Sequence, residues 1–473
     1  MIKSKWTVLG ITTVGVFMSS LDSSIVNIAI PSISLDLGSS FEIIQWIPII
    51  YLLTMAITLI SFGRLSDLKG RKNFYLLGVF LFTISSFLST LANSGELLVV
   101  FRAIQGTGSS FMSANAAAMI TDIFPRQETG KALGINVASI YLGLVIGPVL
   151  GGFLVQYFSW RSIFIINIPI GIVLIIIGIF KLEKVNTGLN EERFDIKGTI
   201  IFGIFLASLL LGLTIANNLG WLSFIIITLF GVSIFSFILF IFIESKTNFP
   251  LFKLSLFKTN RLFSFANFAA LLNYIAISGV SFLLSIYLQI ILEIPPAITA
   301  LLLMPTSLVM ALTSPFSGKL SDKYGTRILC TVGMSIMAFG FTLLILVIEF
   351  LPLIFIIVTQ FFIGIGIGFF SSPNQSAIMN SVEKRDHGIA SGTLSTMRVV
   401  GQSISVALLS AILTLFMPVT ILNSILSHKE IIIDPLIKVE FINGMQAVLT
   451  ISIIICLIGA LFSFLRGKSV SIL

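Results

Sequence analysis

The sequence predicts an all-α protein that crosses a membrane fourteen times, and three observations carry that expectation. First, 56% of the 473 residues are hydrophobic, 10% are charged and the mean hydropathy is +1.09. A soluble domain needs about 25% charged residues to clothe its surface, so this chain is built for lipid. Second, apolar runs bounded by short polar loops recur along the whole length. Each run is long enough for a hydrocarbon core of roughly 30 Å, which takes about 20 helical residues. Third, Lys and Arg crowd into alternate loops, as they do when one side of the membrane is cytoplasmic.

The first run, 8–30, follows Lys3 and Lys5 as a secretion signal would, but it continues to Ala29 without a small-residue cleavage site. It is therefore expected to be a span. The later runs cover 43–62, 73–93, 96–118, 132–155, 162–180, 198–216, 221–243, 264–289, 297–316, 328–348, 352–370, 389–415 and 444–465. With the N-terminus inside, the cytoplasmic segments hold 23 of the 28 Lys and Arg, and the outer loops hold only Arg161, Lys429 and Lys438. Both termini are then cytoplasmic, the 181–197 and 244–263 loops are inside, and 416–443, to which no role is assigned, is outside. The net charge of +8 is a consequence of topology, and nucleic-acid binding is not expected from it.

An internal repeat organises the chain. "GRLSDLKGRK" at 63–72 returns as "GKLSDKYGTR" at 318–327, between spans 2 and 3 and again between spans 10 and 11. Two six-span halves would repeat with an offset of six, so an offset of eight implies two extra helices between them. The expected division is a first half at 1–180, inserted helices with their cytoplasmic linkers at 181–263, and a second half at 264–473. Repeated halves with a site at their interface are the architecture of secondary transporters. In the repeated loop, Gly63 and Gly70 permit a tight turn and close helix approach. Asp67 can cap a helix start or pair with a base such as Arg71. The second copy keeps Asp322 but moves its base to Arg327.

Asp22 lies inside the first span, where an ionised carboxylate costs roughly 2.5–3.5 kcal/mol even on insertion scales. It sits roughly 12 Å below the outer end of span 1, and Arg102 sits roughly 9 Å below the outer end of span 4. The two depths agree, so a pair is expected. Such a pair can merely orient two helices. Asp22 is, however, the only carboxylate near the middle of any span. Burial and a neighbouring guanidinium act on a carboxyl in opposite senses, so motion that alters either loads or releases a proton. Gly143, Gly147 and Gly151 recur every fourth residue and share one helix face, where another backbone can approach closely. Pro148 favours a bend beside them.

Arg398 sits roughly 13 Å deep in span 13, either touching cargo or organising the second half. Asn27, Asn273, Gln289 and Gln360 are candidate cavity-lining residues, although helix–helix hydrogen bonding is the commoner role for such groups. Cys330 and Cys456 have no paired spacing and are expected to be packing residues. "GIGIG" at 364–368 follows no strand and reads as packing, and His387 and His428 fall in opposite loops. There is no phosphate-cradling loop of the Walker type and no nucleophile–base pair or metal cluster at a shared depth. Neither ATP-driven transport nor an intramembrane enzyme is expected.

Several of these stretches resemble motifs of the major facilitator superfamily. The repeated loop resembles its motif between the second and third spans, and "RAIQGTGSS" at 102–110, with Arg102, Gln105 and Gly106, resembles its fourth-span motif. "GLVIGPVLGG", which includes Gly143, Gly147, Pro148, Gly151 and Gly152, is similar to the fifth-span motif that marks drug:proton antiporters. "LDSSIVNIAIP" at 21–31, "SWRSIFIINIPIG" at 159–171 and "FDIKG" at 194–198 resemble the fourteen-span branch, the quaternary-ammonium and multidrug efflux pumps. The resemblance implies a major facilitator fold of two six-helix halves plus two inserted helices, and a multi-pass protein of the cytoplasmic membrane. It implies proton-coupled efflux, with the repeated loop latching the halves on the cytoplasmic side. The coupling ion is the proton and no cofactor is expected. The expected partners are small lipophilic molecules and membrane lipids, not nucleic acid or ATP, and the protein is expected to act as a monomer. With one mid-span carboxylate, neutral or monovalent cationic cargo is expected over divalent cations. Export of a metabolite or lipid, or a transport-inactive sensor, are the alternatives.

Overall fold

The computed structural model describes residues 5–183, 195–247, 250, 252–348, 353–382, 387–418, 421–423 and 435–467. Fourteen long helices run in sequence: α1 Lys5–Leu37, α2 Trp46–Lys69, α3 Arg71–Thr90, α4 Gly95–Ile123, α5 Arg126–Tyr157, α6 Asn167–Lys181, α7 Ile196–Leu219 and α8 Phe224–Lys246. They continue as α9 Arg261–Ile286, α10 Pro296–Tyr324, α11 Thr326–Ile348, α12 Leu353–Asn380, α13 His387–Phe416 and α14 Pro435–Leu465. Among the described residues thirteen helices are long and apolar enough to cross a membrane. The helix outside that group is α4, whose 29 residues carry Glu96, Arg102, Gln105 and Asp122. It packs against α1, α2 and α3, which enclose Arg102 and Gln105 completely, while Glu96 and Asp122 lie near its two ends.

Polar residues at the helix starts explain where several elements begin. Ser94, Ser223 and Asn260 each accept a hydrogen bond from the backbone N–H three residues on, and Asp195 does the same for Gly198. These caps satisfy N–H groups that the first helical turn leaves without partners. At the turns from α2 to α3 and from α10 to α11, Gly70 and Gly325 adopt φ +106° and +84°. That conformation is costly for residues with a Cβ, which accounts for the glycine in both copies of the repeated loop.

Packing repeats with the sequence. In the first half α1 packs on α5, α2 and α3 on α4, and α3 on α6. The second half reproduces this eight helices later, with α9 on α13, α10 and α11 on α12, and α11 on α14. Even close backbone approaches recur: a Cβ on Gly78 would lie 2.8 Å from the Gly108 carbonyl, and one on Gly333 would lie 2.7 Å from that of Gly366. The halves meet along α2–α13, α5–α10 and α1–α9. The inserted α7 packs on α2 and α13, and α8 packs on α7. Apolar side chains of α8 such as Ile234, Phe235 and Ile238 remain exposed, as suits a lipid-facing helix.

One end of the seam is tied by polar contacts. The Ala297 N–H donates to Gln156 Oε1 at 3.0 Å, joining α10 to α5. Ser285 Oγ donates to the Asn27 carbonyl at 3.1 Å, and Gln289 Nε2 to that of Ile28 at 3.0 Å. Asn423 accepts from the Phe41 N–H at 2.6 Å and donates to Glu42 Oε2 at 3.1 Å. Asn423 belongs to the 416–443 segment that had no expected role, and here it links the halves.

Candidate functional site

The site is built where α1, α4 and α6 converge. Asp22 is fully buried on α1, as is Arg102 on α4. Arg102 Nη1 donates to Asp22 Oδ2, forming an enclosed ion pair. Asp22 Oδ1 accepts from Gln105 Nε2 at 2.9 Å and from Asn167 Nδ2 at 3.0 Å. Gln105 accepts in turn from Arg102 at 2.6 Å and donates to Ser86 Oγ of α3 at 2.9 Å. The spacing of three residues places Arg102 and Gln105 on one face of α4, so a single helix supplies both groups.

Arg102 is held on its other faces as well. Its guanidinium lies 4.1 Å from the centroid of the Tyr51 ring and 5.8 Å from that of Phe164. Such contacts stabilise a desolvated cation by roughly 2 kcal/mol. Tyr51 Oη donates to Ser109 Oγ at 2.9 Å and lies 3.1 Å from Ser19 Oγ, which fixes the ring beneath the charge. Breaking a buried pair by removing one partner costs about 3–5 kcal/mol, because the survivor is left uncompensated.

The glycine face of α5 abuts α1 directly beside Asp22. A Cβ on Gly143 would lie 2.8 Å from both the Phe17 carbonyl and the Leu21 N–H nitrogen. A Cβ on Gly147 would lie 3.0 Å from the Leu21 carbonyl, and one on Gly151 would meet Ile25 at 2.6 Å. Gly152 faces the other half, where its Cβ would lie 2.6 Å from the Pro296 carbonyl of α10. Pro148 lies within the helix between these contacts. Thus one helix grips the α1 segment carrying Asp22 and also reaches across the seam.

The remaining expected residues divide. Gly63 and Gly318 pack toward Ala114 and Ser372 at equivalent places in the two halves. The side chains of Asp67 and Asp322 lie outside the described residues. Arg71 pairs with Asp122 at 2.5 Å, and the Arg327 guanidinium lies 4.0 Å from the Phe464 ring centroid. Asn273 is buried and donates to the sulfurs of Met334 and Met337 at 3.2 and 3.1 Å, while Gln360 accepts from Thr306. Both are bonded within the second half. Asn27 and Gln289 lie at the seam. Arg398 lies on α13, partly buried.

Asn167, Tyr51 and Ser86 were not anticipated as members of the site. Asn167 falls in "SWRSIFIINIPIG", and its signal was a lone amide in an otherwise apolar run at the depth of Asp22. For Tyr51 the sequence carries no comparable signal, because the contact is made by a ring face.

Two repeated six-helix halves, two inserted helices and a charge pair sealed at mid-depth define a multi-pass membrane transporter of the secondary type. The comparisons give the family. A profile described as Major Facilitator Superfamily matches residues 12–406 and 266–471, and the chain belongs to that superfamily, whose members are transporters and not enzymes. Among its relatives is the riboflavin transporter RibZ of Clostridioides difficile (strain 630), 36% identical over 413 residues, covering 86% of this chain and 88% of that protein. The multidrug resistance protein Stp of Mycobacterium tuberculosis is 30% identical, covering 87% and 76%. The multidrug transporter protein MdtP of Bacillus subtilis is 31% identical, covering 85% and 74%. Among solved structures, an inward-facing, occupied bacterial homologue of the human lysosomal transporter Spinster superposes with a TM-score of 0.69 at 16% identity, covering 98% and 97% of the two chains. That likeness concerns the fold alone.

Proposed function

We propose that this chain is a fourteen-span drug:proton antiporter of the cytoplasmic membrane, with both termini in the cytoplasm, that exports lipophilic small molecules. The enclosed Asp22 carries the reading. Its carboxylate is satisfied by one guanidinium and two amide donors. A proton arriving there takes up acceptor capacity and leaves Arg102 without its counter-charge. Neither arrival nor departure is possible unless α1, α4 and α6 rearrange, and a proton whose movement requires rearrangement is a coupled proton. The glycine face of α5 transmits that movement to the seam. Multidrug proteins among the relatives support this reading.

Exchange of one proton for a neutral molecule also draws on membrane voltage, about 2.3 kcal/mol per charge per 100 mV. A second reading, export of a metabolite, is favoured by the riboflavin transporter among the relatives. The test is proton-gradient-driven efflux in proteoliposomes with matched amounts of folded protein. Asp22→Asn keeps an amide in place of the acid and should abolish uphill efflux while leaving binding of neutral cargo. Full concentrative transport by that variant would make the ion pair purely structural. Screening compounds for reduced accumulation in a pump-deficient cell separates drug from metabolite cargo.

A further inference from the structure

We infer that the groove between α1 and α6 seats one acyl chain of an anionic phospholipid whose headgroup rests on the lysines at the end of α6. Binding of this kind goes beyond the proposed transport function and does not depend on it. The groove has a volume of about 560 Å³, and its walls include Thr7, Gly10 and Val14 of α1 and Pro169, Leu174 and Ile177 of α6. Thr7 is the only lining residue with a polar side chain. Gly10 widens the groove, because it is exposed and a Cβ on it would meet nothing within 4 Å. Val14 and Ile177 are 40% and 38% exposed, so in a bilayer the groove opens toward hydrocarbon.

Its length and its charge decide the occupant. Val14 lies about 14 Å from the α1 start and Pro169 about 18 Å from the α6 end, against about 15 Å for one leaflet's share of the hydrocarbon core. The groove therefore runs from the headgroup boundary to the midplane and stops. A helix of a second copy would cross both leaflets; an acyl chain ends where the groove ends. Lipid tails are no more apolar than one another, so shape and headgroup select among them. At the mouth, Lys181 is exposed in the last turn of α6. Lys72 Nζ donates to the Ile179 and Leu182 carbonyls at 2.8 and 2.7 Å, which puts a second ammonium at the same helix end. Glu183 is the acid beside them, and Lys5 at the α1 start is paired with Glu128. The surplus at the α6 end is positive, as an anionic headgroup requires. In the proposed orientation this is the cytoplasmic leaflet. Asn167 continues the α6 face of Leu174 and Ile177 and donates to Asp22 at 3.0 Å, so the seated chain braces α1 against α6 next to that contact.

The experiment is native mass spectrometry of the purified full chain in detergent, titrated with dioleoyl phosphatidylglycerol and dioleoyl phosphatidylcholine. Wild type should bind one phosphatidylglycerol about fivefold more tightly than phosphatidylcholine, the worth of one surplus lysine at a headgroup. Lys181→Gln should bring the two lipids to parity. Gly10→Phe should fill the groove and lose the tight phosphatidylglycerol site while keeping the wild-type melting temperature. If Gly10→Phe fails to fold, Val173→Trp, at a groove residue 52% exposed, should lose the same site. Phosphatidylglycerol with a diazirine in its acyl chain should label peptides of α1 and α6. Equal affinity for the two lipids in wild type overturns the inference, as does labelling confined to other helices or an unchanged phosphatidylglycerol affinity in folded Gly10→Phe. A dimer mass that disappears in Gly10→Phe would give the groove to a second copy and overturn it too.

Discussion

Gly152 is where a single methyl group should change the balance between conformations. A Cβ there would lie 2.6 Å from Ala300 Cβ, 2.6 Å from the Pro296 carbonyl and 3.0 Å from Ala297 Cα, whereas ordinary contact begins at 3.4 Å. Two of the three obstacles are backbone, so no rotamer change relieves them. For Gly152→Ala, α5 and α10 must part by at least 0.8 Å, and for Gly152→Leu by more. Overpacking of this kind costs about 1–3 kcal/mol. The cost falls on the state in which this end of the seam is closed, so the balance should shift about five- to 150-fold toward the open end. Nitroxides on cysteines replacing Leu91 and Leu415, exposed at this end on opposite halves, report the separation. Native Cys330 and Cys456 are buried and do not compete for label. The variant should lose the short-distance population and slow transport. A folded Gly152→Leu with the wild-type distance distribution would refute the reasoning.

Three further outcomes follow from the same geometry. Arg102→Gln should lower stability by about 3–5 kcal/mol, and adding Asp22→Asn should restore part of it; thermal unfolding in detergent checks this, and purely additive losses would contradict the pairing. Asn167→Leu removes one of Asp22's donors but keeps the ion pair, so it should cost about 1–3 kcal/mol and slow pH-jump-driven uptake in vesicles more than Asn273→Leu does. A cysteine replacing Tyr324, exposed at the turn between α10 and α11, should react with an impermeant maleimide in inverted vesicles only; reaction in intact cells would reverse the orientation.

Helix number and order were legible because lipid imposes its demand on every span. The run at 96–118 was found by length and spacing, although α4 is too polar to qualify on hydropathy. Matching depths also predicted the Asp22–Arg102 pair, since the rise per residue is fixed along a helix. What the sequence did not reveal was sidedness. Asn273 and Asn167 look alike in a chain of apolar residues, yet one donates to two methionine sulfurs and the other to the buried carboxylate. Their difference depends on helix rotation, which hydropathy does not encode.

The inserted helices break the near-twofold equivalence of the two flanks. Helix α7 lies over the α2–α13 flank, with α8 behind it, while among the described residues no corresponding pair covers α5–α10. A bilayer around this protein therefore touches the two flanks differently. Acyl chains border the bare flank, and on the other they meet a protein buttress. The same asymmetry makes α5–α10 the flank where bilayer thickness and lateral pressure act most directly on the joint between the halves.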